Sequence, residues 1–520
     1  MAYKKNKIDL SDTAQFSKPF VDYITGDEKL KKFYTYLPEI SSFKQAIADR
    51  SKLNINRQLL ADVITDQYNS RIKVPLADFQ ETNSRIELLR DKDTYTVCTG
   101  HQLCLFTGPL YFIYKIISTI NLAEALKKAY PENNFVPVYW MASEDHDFEE
   151  IRAVHLFNQT LSWDADSSNG AVGRLNTASI SKMLEELSGI LGDSQNAKEL
   201  ILLYENAYLK HNNLADATRY LVHELFGKYG LLVIDADDKR LKSEFMTIMK
   251  DDISNQTNFK IVNQTISELE KIGIQPQVNP REINVFRLKE ERIRIKEATE
   301  EMLALSPEEY SPNVVLRPMY QQMILPNIAY VGGPGEIAYW LEFKAMFQHH
   351  SVMFPVLIPR NFALLTDEKL SQQLQKLNFS NTDIFKEHDR LIREFINIHA
   401  SNELSLKDQE EIIRSAYSEI SGRAAAIDAT LKGSVEAEMQ KALNGLKTIE
   451  NKLLRSEKQK QETSINQIKK IKEKYFPGGN LQERHDNISS YYIKYGNQLI
   501  ADLKNAFQPF EFEMLILELN

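Results

Sequence analysis

The stretch TYTVCTGHQLCLFTGPLYFIYKIISTINLA, residues 94–123, decides the fold. Tyr95, Val97 and the flanking threonines favour an extended chain, and Gly100 ends that run. A loop follows over residues 100–108. Thr107 or Gly108 is placed to act as N-cap, and Pro109 suits a first helical position. Leu110, Ile113, Ile117 and Ile120 then recur at helical spacing. The whole reads as strand, glycine-bounded loop and helix. In an open α/β sheet such a loop lies at the carboxyl end of a strand, where ligands bind. The helix start offers N–H groups and a positive dipole end to an anion.

Outward from this unit, strands are predicted at residues 94–99, 136–142, 230–235, 328–331 and 353–359. Helices at 109–130, 215–229 and 336–348 separate them. Residues 138–142 and 231–234 are nearly continuous apolar runs, which fits central parallel strands covered on both faces. The fold class is α/β, a Rossmann-like parallel sheet over residues 91–402. Insertions are expected at 155–214 and 258–309, the second ending in a β-hairpin. Residues 1–90 read as a mostly helical preface packed on the core, with a helical stretch over 43–68. Residues 403–478 read as a helical hairpin or coiled coil, since apolar residues keep a 3–4 spacing with a phase shift. One helix cannot bury that stripe, so a homodimer is expected through it. Residues 479–520 are expected to return to the core and end in a strand over 510–519.

Composition narrows the function classes. The 520 residues are 43% apolar and 26% charged, as in a soluble globular protein. A net charge of −9 argues against general binding to nucleic acid or anionic membrane. The chain shows no membrane span, and MAYKKNKIDL lacks the apolar stretch of a signal peptide. Two cysteines, Cys98 and Cys104, suit a reducing cytoplasm and are too few for a cysteine-built zinc site.

Three constellations carry chemistry. His101 and Gln102 follow the first strand, where an imidazole and an amide can serve phosphate or carboxylate oxygens. Ser143-Glu144-Asp145-His146-Asp147 follows the second strand. Burying so much unpaired charge is costly, so this loop is expected to bind an amine, act as general base or hold a divalent metal. His146 and Asp147 are the preferred catalytic pair, with Glu144 second. The third is Tyr330-Val331-Gly332-Gly333-Pro334-Gly335-Glu336, another strand, glycine loop and helix start. Gly332 and Gly333 allow close backbone approach, and Glu336 in the first turn can hold an amine. Arg317, Gln321, Gln322 and Arg360 are further binding candidates, arginine being suited to carboxylates. Tyr111 and Tyr339, on the helices after the two glycine loops, complete the set.

GHQ followed by LFTGPLY, then PVYWMASEDHDFEEI, VGRL and LRPMYQQMILPNIAYVGGPGEIAYW, resembles the bacillithiol biosynthesis cysteine-adding enzymes over residues 94–362. The resemblance implies a nucleotidyltransferase-type core and a ligase acting on L-cysteine and glucosaminyl-malate. The cysteine carboxyl would join the sugar amine as an amide in the last step of bacillithiol synthesis. ATP is the expected source of activation. His101 and the helix start at Pro109 would then stabilise phosphate charge, His146 or Asp147 would deprotonate the amine, and Arg317 or Arg360 would hold malate. The GHQ layout is also similar to the ATP-binding signature of class I aminoacyl-tRNA synthetases, without its second histidine and without a later lysine-rich KMSKS-like loop. Two alternatives come from other classes. One is a metal-dependent hydrolase using Glu144, Asp145, His146 and Asp147, and the other is a coiled-coil scaffold.

Overall fold

Five parallel strands form the central sheet in the computed structural model, which describes residues 3–165, 169–399 and 405–519. They are β1 (Thr94–His101), β2 (Asn134–Met141), β3 (Leu232–Asp235), β4 (Asn327–Gly332) and β5 (Val356–Pro359). Their order is β5-β4-β1-β2-β3. The chain therefore builds outward from β1 to β3, then crosses back to lay β4 on the other side of β1. This reversal opens a crevice between the carboxyl ends of β1 and β4, the usual ligand site of such sheets. The five strands are almost wholly buried, which explains their unbroken apolar runs.

Helix α1 (Leu110–Ala129) follows β1 and is buried around most of its circumference. Its outer side is covered by the returning tail, where Asn121 Nδ2 donates to the carbonyls of Lys504 and Phe507 at 2.8 and 2.9 Å. The expected N-cap hydrogen bond from Thr107 or Gly108 is not what the structure shows, since Pro109 occupies the cap position without a side-chain bond. The loop before it is strained instead, with Phe106 at φ 50° and Thr107 at φ 73°. Gly108 at φ 60° follows, and a Cβ there would lie 2.5 Å from Cys104 Cβ. The Asn487 side-chain amide clamps the turn by donating to the Phe106 and Gly108 carbonyls at 2.8 and 2.7 Å.

Several segments differ from expectation. The preface opens with a strand, Tyr3–Asp9, paired antiparallel with the tail strand Glu513–Leu519 and sharing a three-stranded sheet with Phe362–Thr366. Tyr3–Asp9 is mostly polar and has no apolar alternation. Cross-strand pairs such as Lys4–Glu518 and Lys7–Glu513 hold it instead. The helical stretch expected over 43–68 comprises two helices, Ser42–Arg50 and Arg57–Arg71. The helix expected over 336–348 is also two, Pro334–Trp340 and Lys344–His349. The first insertion holds a hairpin, Ala153–Leu156 with Gln159–Ser162, followed by helices. This follows the sequence, which reads there as a small β excursion that becomes helical from Ser179; residues 166–168 lie outside the described residues. The second begins as a helix, Thr257–Lys271, before its hairpin Val285–Leu288 and Arg292–Arg294, which Tyr310–Pro312 extends.

The chain divides into two compact units, residues 1–365 with 480–520, and residues 366–479. The second unit starts with the helices Glu368–Lys376 and His388–His399. The boundary expected at 402/403 lies outside the described residues. Within this unit Lys407–Ile427 and Leu431–Lys460 form a helical hairpin, followed by Glu462–Tyr475.

Candidate active site

A cavity of about 590 Å³ opens at the crevice between β1 and β4. Gly100, His101 and Gln102 line it from the end of β1, and Tyr111 and Lys115 from α1. Gly333, Pro334, Gly335, Glu336, Tyr339 and Trp340 come from the unit after β4. Arg317 opens helix Arg317–Ile324 and Gln321 lies one turn further on, Arg360 follows β5, and Asn480 and Arg484 come from the tail.

Its floor is an ion pair between a buried lysine and a half-buried glutamate. The Lys115 ammonium bonds the Glu336 carboxylate at 2.6 Å and the Gly100 carbonyl. Glu336 also accepts from the Tyr330 hydroxyl at 2.5 Å and the Gly333 N–H at 2.9 Å. Burial raises the Glu336 carboxyl. The ammonium and the two donors outweigh that and hold it below its ordinary value. Burial pulls Lys115 down, opposed by Glu336. Glu336 thus holds an amine as expected, but the amine is its own chain's lysine. The Gly333 N–H, expected to face a ligand, is used by Glu336.

His101 is buried between Tyr111 and Phe112, with ring centroids 5.2 and 5.0 Å away. Its Nδ1 donates to the Gln102 carbonyl at 2.8 Å, which leaves Nε2 as the acceptor nitrogen. Burial, helped by the Lys115 charge, lowers its pKa to about 4, so the ring is neutral at pH 7. Cys104 lies beside it at 4.0 Å, and burial pushes the thiol up to about 12.

Arginines supply the positive wall. Arg360 is paired with Glu483 at 2.5 and 3.1 Å and lies over the Tyr111 ring at 5.5 Å. Its Nε is buried without a hydrogen-bond partner, as are Gln321 Nε2 and Trp340 Nε1. Arg317 and Arg484 have no carboxylate within salt-bridge distance among the described residues. Gln322, in contrast, is not in the cavity. It is fully buried and exchanges hydrogen bonds with Asn327 at 2.6 and 3.0 Å, because its side chain emerges on the core side of the helix. Gly332 ends β4 and its carbonyl accepts from the Arg360 N–H at 2.9 Å. The helix start at Pro109 is closed to an anion as well, since the Leu110 N–H donates to the Asp486 carbonyl at 2.9 Å.

The acidic loop after β2 does not act as one group. Glu144 turns inward to Lys242 at 2.6 Å, and Lys242 also holds Asp237 at 2.7 Å. Burial raises the Glu144 carboxyl, opposed by that lysine. Asp145 turns to the main cavity and accepts from Gln102 Nε2 at 3.3 Å. Its burial is outweighed by Arg317 and Arg292, which hold its pKa below the usual carboxylate range. Asp147 caps the short helix Phe148–Ile151 by accepting from the Glu150 N–H at 3.3 Å. His146 is half-exposed, and its Nδ1 accepts from Arg292 Nη1 at 3.2 Å. Adjacent residues in an extended turn point to different sides, so Glu144 is a structural partner and the four side chains cannot share one ion. Among the described residues no three His, Cys, Asp or Glu side chains form a metal-binding group. The loop is held by the VGRL segment. The Gly173 N–H donates to the Ser143 carbonyl at 2.8 Å, and a Cβ on Gly173 would fall 2.6 Å from Ser143 Cβ.

A family model described as the N-terminal Rossmann-like domain of bacillithiol biosynthesis BshC matches residues 3–361. A second, the BshC C-terminal coiled-coil domain, matches residues 363–519. The chain belongs to the BshC family. Among BshC relatives, a Flavobacterium johnsoniae protein is 39% identical, covering 98% of this chain and 99% of its own. One from Flavobacterium psychrophilum is 40% identical over 96% and 97%. One from Cytophaga hutchinsonii is 37% identical over 99% and 98%. Each is named "Putative cysteine ligase BshC".

Sequence reasoning missed Lys115, Arg292, Asn480 and Arg484. For Lys115 a signal existed: it is the one charge in the apolar run 110–123. Arg292 sits in ERIRIKE and Arg484 in LQERHDN, where nothing separates them from solvated neighbours.

Proposed function

We propose that this protein is a ligase that joins the carboxyl group of L-cysteine to the amine of glucosaminyl-malate, the last step of bacillithiol biosynthesis, with ATP as activating co-substrate. One observation carries the reading. The cavity at the strand reversal is lined by Arg317, Arg360 and Arg484, and among the described residues Arg317 and Arg484 have no carboxylate within salt-bridge distance. A donor-only wall of this kind suits an acceptor-rich anion, either the two malate carboxylates or a phosphate chain. ATP, when bound, supplies the activation that a free carboxylate lacks in water. The chain's own part is positioning and proton transfer. Arg484 and Arg360 hold malate, Arg317 on the far side of the cavity meets the cysteine carboxyl, and the Lys115–Glu336 pair fixes the two glycine loops. As the C–N bond forms, the C–O bond from the acyl carbon to the phosphate-containing leaving group derived from ATP would break, the amine loses a proton, and His101 Nε2 is the acceptor. We place the reaction in the cytoplasm; among the described residues no helix is long and apolar enough to cross a membrane.

The test is incubation with L-cysteine, glucosaminyl-malate and ATP, with mass detection of the amide. Product that requires all three is expected; no product with all three present overturns the reading.

We also propose a homodimer through the helical hairpin. Helix Lys407–Ile427 has no buried residue, and Ile412 and Ile427 are 65% and 84% exposed. Light scattering should give a dimer, and Ile412→Glu with Ile427→Glu should shift it to monomer. A monomeric full-length chain at micromolar concentration overturns this.

A further inference from the structure

A second cavity, of about 400 Å³, adjoins the first and shares Gln102, Trp140, Ala142, Asp145, Val314 and Arg317 with it. Its floor is the acidic loop, and its roof is the second insertion, which contributes Arg281, Phe286 and Arg292. We propose that this second cavity is the binding subsite for the α-amino acid, with the ammonium at Asp147 and Glu150, the carboxyl at Arg317 on the shared wall, and the side chain against Phe286. The assignment rests on the ligase reading above and adds to it where each substrate lies.

Charge separates the two cavities. The first offers the guanidinium groups of Arg360 and Arg484, its carboxylate Glu336 is already neutralised by Lys115, and Asp145 and Arg317 are common to both cavities; in the second, Arg281 and Arg292 are engaged over Phe286. The second carries Asp147 and Glu150, and neither has a cation within salt-bridge distance among the described residues. Asp147 accepts only the Glu150 N–H, and Glu150 is met by the neutral Gln102 amide. Unpaired carboxylates at a cavity wall repel a polyanion and attract an ammonium. A dicarboxylate or phosphate chain is therefore directed to the first cavity, and a zwitterion of amino-acid size to the second.

The rest of the lining fits the same ligand. Arg292 is held rigid by Ser311 Oγ at 3.0 Å, the Pro312 carbonyl at 3.0 Å and His146 Nδ1 at 3.2 Å. Its guanidinium stacks over Phe286 at 4.3 Å, and Arg281 lies 5.6 Å from the same ring. Phe286 keeps only 8% of its surface exposed, a small patch at the cavity against which a compact polarisable thiol can pack. Arg317 stands in both cavities, so a carboxyl bound there is presented to the neighbouring one. A sugar amine whose malate end lies at Arg360 and Arg484 then meets the carboxyl beside Gln102 and Asp145. Two substrates held in adjoining sites gain the orientation advantage that a bimolecular condensation needs.

The experiment measures KM for both substrates in the full chain and in Glu150→Gln, Asp147→Asn and Phe286→Ala. Glu150→Gln and Asp147→Asn keep shape and exposure, so they fold if Phe286→Ala does not. At least a tenfold rise in KM for cysteine is expected in the Asp147→Asn, Glu150→Gln double variant, with KM for glucosaminyl-malate within twofold of the parent. The parent should also reject 3-mercaptopropionate, which lacks the ammonium, and the double variant should narrow that discrimination. An unchanged KM for cysteine, or a rise in the sugar's KM instead, overturns the assignment. Failure of the parent chain to form the amide would strike the ligase reading itself.

Discussion

His101 and His146 follow neighbouring parallel strands, yet their neighbours give them opposite roles. Beside His101 stands a carbonyl, so Nδ1 carries the proton and Nε2 offers a lone pair. Beside His146 the nearer group is a guanidinium at 3.2 Å, which can only donate, with the Asp145 carboxylate farther off at 3.5 Å; the Arg292 hydrogen bond makes Nδ1 the acceptor. His101 ends β1 on the floor of the first cavity, while His146 lies five residues beyond β2 under the insertion. Proximity to carboxylates, which singled out His146 from sequence, says little about the tautomer. The hydrogen-bond partner of the other ring nitrogen decides which histidine can take a proton.

The largest effect expected from this contrast is at His101. His101→Gln should cut turnover by roughly 10²–10⁴, the usual range for a lost proton acceptor. The surviving folded enzyme should show this loss at saturating substrate. A variant that is only less stable, with unchanged turnover per folded molecule, would return His101 to a packing role. With a folded-state pKa of about 4 against 6.5 unfolded, His101 also contributes stability above pH 6.5 that is lost as pH falls through 4. That share of the acid loss should vanish in the variant.

Beneath His101, Lys115→Met breaks the floor's ion pair and leaves Glu336 as an uncompensated half-buried charge. Roughly 3–5 kcal/mol of stability should be lost, and Glu336→Gln in the same chain should restore part of it. Urea midpoints of the two single variants and the double variant give the coupling. Additive losses would mean the pair is not the unit that fixes the floor.

The roof has its own anchor in Glu342. It is buried, accepts from the Gln277 N–H at 2.6 Å, and burial raises its pKa to about 7. The folded state thus holds this proton more tightly than the unfolded one. Its contribution is full below pH 4.5 and is lost as pH rises to about 7. Glu342→Gln should flatten that part of the profile, by up to roughly 3 kcal/mol at 1.36 kcal/mol per pKa unit. Equal slopes for parent and variant between pH 5 and 7.5 would remove Glu342 as the anchor.

Floor and roof also differ in how far they could be read from sequence. Strands such as 138–142 and 231–234 were legible because burial on both faces leaves a continuous apolar run. The glycine loops marked the strand ends, and with them His101, Gln102, Glu336 and Arg360. The pairing of Lys115 with Glu336 was not legible. It joins residues 221 positions apart, and only the strand order brings them together. Gln321 and Gln322 are adjacent, and one helical step of about 100° separates cavity from core. The polar strand Tyr3–Asp9 has no pattern of its own, since its partner lies at the far end of the chain. Arg292 escaped notice because its significance depends on His146 and Phe286, which the fold alone brings to it.

The smallest effect expected is at His146, and it tests the comparison most directly. If His146 were the proton acceptor, removing it would cost the same 10²–10⁴ as His101. The Arg292 contact argues otherwise, because it occupies the Nδ1 lone pair at 3.2 Å, nearer than the Asp145 carboxylate at 3.5 Å. His146→Asn keeps a group able to accept from Arg292, so Phe286 and its stacked guanidinium stay in place. Turnover at saturation should fall less than tenfold, below 1.36 kcal/mol. What loss there is should appear in KM for cysteine, since His146 lines only the second cavity. Arg292→Met should act on the same parameter and leave KM for the sugar unchanged. Should His146→Asn instead abolish turnover while its KM values hold, the proton acceptor lies under the roof, and the roles of the two histidines exchange.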